Sequence, residues 1–423
     1  MTVGRPPVPV PVEHVAVAVV GGGPAGLTTA AALADAGCQV MVIERESELG
    51  GVPRHSDHPG FGMRDLRRFV SGPEYSRRLA DRAVRAGADV RVESHVTGWA
   101  GERSLLVTSP RGRRRVDADA VVVATGARER PRPARMIAGD RPDGVMTTGQ
   151  LQQLVMQFGR DAGDSVGRRA VVVGSELVSW SAVMTLRHAG CQTVAMTTEY
   201  DRPEAYAAVG ALGRAAFRVP SLTRTRVVRI DGRQGVESVT VQHLDSGRRA
   251  TIACDTVLMT ADWIPDHELL RSGGVDLDAG TLGPVVDEGL RTSTPGLFAA
   301  GNVVHPVDTA DNAALDGRHV ARSVLEWLDG GAVSRETCVF RPVSPLRWVA
   351  PQRWAGRTAP RGDLLFWCDT FRRFPRLRAR QDGVVIGEVR TPWPMAPGRV
   401  FRAPARLVAG SDLRGGPVTI ELA

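Results

Sequence analysis

The chain has 423 residues, 43% hydrophobic and 24% charged, which suggests about three domains and ample apolar material for buried cores. All 54 basic residues are arginine, so lysine Schiff-base chemistry is excluded. The formal net charge of +8 is carried by the tail, where residues 335–423 hold 16 arginines against 7 acids, leaving 38 against 39 upstream.

The proline-rich start, Arg5 to Val12, lacks a basic segment followed by an apolar run and a cleavage site. It does not read as a secretion signal, and a cytoplasmic location is the default expectation. Val15 to Val20 then reads as a buried strand running into Gly21-x-Gly23-x-x-Gly26 and an Ala/Leu-rich helix. Such a turn leaves helix-start N–H groups free, and together with the helix dipole they hold a pyrophosphate. Gly21 allows the tight turn, Gly23 lets the backbone approach the phosphates, and Gly26 lets the helix pack close to the strand. Glu44, 23 residues after Gly21 at the end of a strand Val40 to Ile43, is placed to accept from a ribose hydroxyl. The uncharged run from Val15 to Ala34 is 20 residues long, but its four glycines, one proline and two threonines make it a poor membrane span.

Gly50-Gly51 is followed by Val52, Pro53, Arg54, His55, Ser56, Asp57 and His58. Val121 to Gly126 reads as a buried strand meeting a tight turn. A second copy of the half-fold begins at Ala170. Both copies carry Ala-Gly-Cys-Gln at the same offset, so they align without a gap: Gly23 falls on Glu176, Gly26 on Ser179 and Glu44 on Thr197. A carboxylate at Glu176 repels phosphate, Ser179 is expected to spoil the close helix packing, and Thr197 cannot replace the ribose-binding acid. Leu297 to Asn302 is another strand and turn. The five cysteines, Cys38, Cys191, Cys254, Cys338 and Cys368, have no metal-ligand or Cys-x-x-Cys spacing and read as small buried residues, so no metal is expected.

Taken together, Gly21-x-Gly23-x-x-Gly26, Ala124-Thr125-Gly126 and Thr292-Ser-x-Pro295-Gly-Leu-Phe298-Ala-x-Gly301-Asn302 resemble the glutathione-reductase-like flavoproteins, the pyridine nucleotide-disulfide oxidoreductases, over roughly Val15 to Leu328. The resemblance implies an α/β fold: a Rossmann-like FAD-binding domain (1–165 and 263–332) with a second, degenerate NAD(P)-binding-like domain (166–262) inserted. It implies FAD in the first site, with Gly301 and Asn302 beside the ribityl chain. Further cofactor contacts are expected at Pro24, Ala25, Arg45, Gly51, Val96, Thr309 and Ala310. The family usually has Asp at Asn302. Pro53 and His58 stand where disulfide-using members carry their cysteines, which excludes a dithiol relay. The lysine that often contacts the flavin ring in relatives is also absent.

Residues 333–423 read as a small arginine-rich β domain of short strands, sandwich-like in layout, with Asp382-Gly383 as a hairpin signal. Arg376, Arg378 and Arg380 alternate on one strand face, which reads as a solvated face or as a docking surface for an acidic partner. No recognition motif points to nucleic acid.

The run Arg128-Glu129-Arg130-Pro131 followed by Asp143-Gly-Val-Met146-Thr-Thr-Gly149-Gln150 narrows the resemblance to FAD-binding subunits of hetero-oligomeric dehydrogenases: opine oxidase, hydrogen cyanide synthase and amino-acid dehydrogenases. This implies oxidation of a small amine, amino acid or hydroxy acid, with electrons leaving through a partner flavoprotein or iron–sulfur subunit. The residues expected to do chemistry are His58 or His305 as proton acceptor and Arg54 as holder of a substrate carboxylate. His305 precedes a helix, running to about Leu325, whose positive end is expected to face the flavin. Asp262 to His267 reads as a packed crossover from which Trp263 or His267 reaches the pocket. The competing readings are an NAD(P)H-dependent flavin reductase and a non-catalytic FAD-bearing scaffold.

Overall fold

The computed structural model describes residues 10–331, 336–356 and 363–423, so the proline-rich start up to Pro9 lies outside the described residues. The uncharged run from Val15 is a strand, Val12–Val20, followed by a helix, Pro24–Asp35. Five parallel strands lie in the order Asp89–Arg91, Val40–Ile43, Val12–Val20, Gly112–Val123 and Leu297–Ala299. The first half of Gly112–Val123 also pairs antiparallel with Ser104–Ser109, which pairs with His95–Gly101. Helices cover the sheet, so Val17 to Val20, Val40 to Ile43 and Val121 to Val123 are apolar on both faces and form one core.

The second copy repeats this geometry. Its helix, Leu177–His188, has 12 residues like Pro24–Asp35. Both helices end at a left-handed glycine, Gly37 (φ +85°) and Gly190 (φ +79°), which reverses the chain into Cys38 or Cys191 and the next strand. The second parallel sheet runs Val145–Thr147, Thr256–Met259, Arg169–Val173, Gln192–Thr197, Ser221–Leu222. A further sheet of Ala138–Gly139, Thr225–Asp231, Ser238–His243 and Arg249–Ala253 packs beside it. Residues 138–158 therefore pair and pack with the second unit, well before the expected boundary at 165/166. The chain crosses between the units through Ala127–Glu129 paired antiparallel with Trp263–Pro265.

The C-terminal residues form two β-sheets around one core. One is ordered Arg353–Trp354, Cys338–Pro342, Val418–Leu422, Arg376–Gln381, Val384–Arg390, and the other Leu346–Ala350, Asp363–Cys368, Phe401–Pro404. Asp382 (φ +49°) and Gly383 (φ +82°) make the tight hairpin turn. The alternating arginines are exposed or half-buried but already paired: Arg376 and Arg378 with Glu388 at 3.0 Å each, Arg380 with Glu421 at 2.9 Å. The stripe is a solvated face on which three arginines share two glutamates. Among the described residues no helix is long and apolar enough to cross a membrane.

Candidate active site

A cavity of about 2070 Å³ opens where the three units meet. Its walls come from the first glycine turn, the loop 51–69, the start of Leu177–His188, and the C-terminal segments 391–394 and 398–404. Of the residues expected to hold the cofactor, Gly21, Gly23, Pro24, Ala25, Glu44, Arg45, Gly51, Val96, Ala124, Thr125, Gly126, Asn302, Thr309 and Ala310 line it, while Gly26 and Gly301 stand behind the wall.

The glycines at this end carry out the separate jobs their positions require. At Gly21 (φ +107°) a Cβ would lie 2.5 Å from the Ala124 carbonyl oxygen, and at Gly26 one would lie 1.9 Å from the Gly21 carbonyl oxygen. At Gly23 the nearest atom to a Cβ would be Gly51 Cα at 3.9 Å, which leaves the backbone open toward the cavity. Glu44 is 6% exposed; Oε2 accepts from Gly22 N–H (2.6 Å) and Oε1 from Glu46 N–H (2.8 Å). Those two bonds fix the carboxylate at the cavity wall and leave lone pairs for a ribose. Thr309 caps the 19-residue helix Ala310–Leu328, whose positive end faces the cavity. Asn302 Nδ2 donates to the Asp308 carbonyl at 3.1 Å, and Asn302 Oδ1 is buried with no partner among the described residues. A buried acceptor in that position suits a hydroxyl of a polyol chain. The pyrophosphate turn, the ribose acid and this acceptor together fit FAD.

His58 also lines the cavity, and its neighbours set its protonation pattern. Nδ1 lies 3.0 Å from the Pro59 carbonyl, which only accepts, so that nitrogen carries the proton in the neutral ring. Nε2 accepts from the Ser181 hydroxyl at 2.6 Å, and Ser181 in turn accepts from Gln152 Nε2 at 2.8 Å. Ser56 donates to Gln152 Oε1 at 3.1 Å, so the chain of bonds ties the 51–69 loop to the second unit. Ser181 and Gln152 escaped sequence reasoning because their roles arise only when the second unit docks.

Arg54 lines the cavity but is committed elsewhere. It donates to the Glu48 carbonyl at 2.7 Å and lies 3.5 Å from the Glu46 carboxylate and 3.7 Å from that of Glu48. Two acids therefore already face the charge that was expected to hold a substrate carboxylate. Burial and the Arg54 charge push the neighbouring His55 below the usual imidazole range. His305, the other expected proton acceptor, is 2% exposed and not among the residues lining the cavity, with Nε2 3.3 Å from the Asp316 carboxylate and its ring 6.1 Å from that of Trp348. The single turn Gly301–Val303 carries the chain inward, and it returns to the cavity only near Val307. Trp263 reaches the wall; His267 does not, and precedes a short helix, Glu268–Ser272.

The second glycine-turn site is filled by the protein's own groups. Ser179 is fully buried; its hydroxyl is 2.6 Å from Thr260 Oγ1 and accepts from the Glu176 N–H at 3.2 Å. The expectation that Ser179 spoils the packing is corrected: it fits between helix and strand and occupies an N–H that would otherwise face a phosphate. Glu176 is 2% exposed, and burial reinforced by Glu204 and Glu129 pushes its carboxyl up to about 8. Burial pushes Glu204 up to about 7. Gly398 of the C-terminal unit lies over both: a Cβ there would be 2.5 Å from Glu204 Cβ and 3.4 Å from Glu176 Cβ. The next residue, Arg399, stacks its guanidinium 4.3 Å from the centre of the Tyr206 ring, and Arg202 does the same over Phe371 at 4.6 Å. Arg402 pairs with Asp308 at 3.1 Å, so Gly398 to Arg402 contacts both dinucleotide-type units. No local pattern in the sequence marks these contacts, because they join segments far apart in the chain.

One furnished and one filled nucleotide site, without cysteines at the redox position, define a two-dinucleotide-domain flavoprotein that has lost its disulfide. The chain belongs to the pyridine nucleotide-disulphide oxidoreductase family, whose profile matches residues 15–317. It is 27% identical to an opine oxidase subunit of Rhizobium meliloti over 82% of this chain and 68% of that protein. It is also 27% identical to the corresponding opine oxidase subunit of Agrobacterium tumefaciens (strain Ach5), over 73% of this chain and 64% of that one, so it spans about two thirds of these relatives' length. Among solved structures it is similar in fold to T. acidophilum thioredoxin reductase, with a TM-score of 0.62 at 21% identity over 75% of this chain and 99% of that one.

Proposed function

We propose that the chain is the FAD-bearing subunit of a dehydrogenase that oxidises a small amine, amino acid or hydroxy acid and passes electrons to a partner protein rather than to a nicotinamide. The observation that supports this reading is the second turn, where the Ser179 hydroxyl takes the Glu176 N–H, the Glu176 side chain is buried and Gly398 packs against it. The names of the opine oxidase relatives, which are subunits, support both the oxidation and the partner.

Bound FAD supplies the hydride acceptor. The protein's part is to place the substrate and take its proton. In this reading His58 Nε2 accepts that proton, directly or through the Ser181 hydroxyl, while Nδ1–H stays on the Pro59 carbonyl and holds the ring in register. The Gln152–Ser181 bond keeps the hydroxyl turned toward the imidazole. The positive end of Ala310–Leu328 favours negative charge arriving at the cofactor. The test is anaerobic mixing of the FAD-loaded chain with a panel of amines, amino acids and hydroxy acids, coupled to an artificial one-electron acceptor. Turnover with at least one is expected. A loaded chain that oxidises none of them would instead favour the scaffold reading.

A further inference from the structure

We propose that Arg399 is a carboxylate anchor, so that the site built over the disused nucleotide turn selects an acid rather than a simple amine. This deepens the dehydrogenase reading and rests on it.

The cavity holds several arginines, and their partners separate them. Arg54, Arg402, Arg45 and Arg128 each face a carboxylate. Arg64 and Arg271 are exposed, and Arg64 bonds Asn312 Oδ1 at 3.2 Å. Arg399 is half-buried on the cavity wall, with no carboxylate within ion-pair distance among the described residues, and its Nη1 is buried without an acceptor. A buried cationic donor left unmet is costly, and the site is completed by an anion from outside.

Its position is fixed rather than accidental. Gly398 (φ +75°) fits against Glu204 where a side chain would collide, which sets the Arg399 backbone. Tyr206 covers one face of the guanidinium at 4.3 Å, so a planar carboxylate would meet it edge-on, at its in-plane N–H donors. Another lining residue, Trp180, has an indole N–H buried without an acceptor among the described residues, a further donor for a carboxylate or hydroxyl oxygen. His58 and Ser181 line the same cavity, so anchor and base open onto one space.

The probe is benzoate, with benzamide as its neutral isostere, titrated calorimetrically into the FAD-loaded and FAD-free full-length chain and followed by the flavin spectrum in the former. Benzoate is expected to bind, benzamide at least about 10-fold more weakly, and Arg399→Gln to weaken benzoate on the order of 10- to 100-fold with benzamide unchanged. Arg399→Lys is expected to recover part of the loss, and the thermal midpoints of both variants show whether they fold. Equal benzoate affinity in parent and Arg399→Gln, equal affinity for the two probes, or no benzoate binding by the parent each overturns the anchor. Failure of the underlying reading is distinguishable: a parent that binds benzoate through Arg399 but oxidises no substrate keeps the anchor and loses the dehydrogenase. A parent that oxidises simple amines as fast as the corresponding acids keeps the dehydrogenase and loses the anchor.

Discussion

Gly26→Ala is the sharpest perturbation of the first nucleotide site. The added methyl would sit 1.9 Å from the Gly21 carbonyl oxygen, against an ordinary C···O contact of about 3.3 Å, so the helix start must retreat by roughly 1.4 Å. It has little room to do so, because at Gly317 of the opposing helix a Cβ would already lie 2.3 Å from the Ala25 carbonyl oxygen. A shift of that size breaks the N–H contacts to a pyrophosphate, each worth about 1.5–3 kcal/mol as a charge-assisted bond. Losing two raises the FAD dissociation constant by roughly two to four orders of magnitude, and the overpacking costs the fold about 1–3 kcal/mol. Quenching of flavin fluorescence on titrating the FAD-free chain measures the first effect, and the thermal midpoint without FAD measures the second. Gly37→Ala is the control: Gly37 has φ +85° with nothing within 4 Å of a Cβ, so the change costs about 1–2 kcal/mol of stability and leaves FAD affinity alone. If Gly26→Ala folds and binds FAD with the parent's affinity, the assignment of this turn to the pyrophosphate is wrong.

His58→Ala is expected to slow flavin reduction by about 10²- to 10⁴-fold with little change in KM, and Ser181→Ala by less, since the ring loses only its orienting donor. Stopped-flow reduction across a substrate series checks this, and unchanged rates in both variants would remove the pair from the chemistry. Glu176 should give the fold a pH signature. Its carboxyl rises from an ordinary 4.5 to about 8, so between those values the folded chain keeps a proton that the unfolded chain releases. The resulting stability is fully present below about pH 4.5, falls as pH rises, and is lost above about pH 8. Glu176→Gln is therefore expected to flatten the thermal midpoint between pH 5 and 8 and to be the more stable form at pH 8, as scanning calorimetry would show. A parallel pH profile in the two proteins would contradict the burial argument.

Much of this architecture is written in local patterns. The paired Ala-Gly-Cys-Gln segments place both helix ends because only glycine takes the left-handed turn at Gly37 and Gly190 without strain. Glu44 is legible because strand length and helix length together fix where the second strand ends. What is not legible depends on contacts between distant segments. His305 lies in a loop whose direction is set by packing against Asp316 and Trp348, so its distance from the cavity has no local signature. Ser179 reads as an intrusion until Thr260, 81 residues on and just past the strand Thr256–Met259, turns it into a hydrogen-bonded bridge. The closure of the second site by Gly398 could not be read from either partner alone. A glycine in a β-rich tail and a carboxylate at a glycine position acquire meaning only when they meet.

The most direct test of the account is rapid anaerobic mixing of the FAD-loaded chain with NADH and with NADPH, followed by flavin absorbance. With Glu176, Ser179 and Gly398 filling the second turn, neither nucleotide should bleach the flavin on a catalytic time scale, while an oxidisable acid should. Rapid bleaching by either nucleotide would contradict the account at its centre, because electrons would then have a nicotinamide route after all.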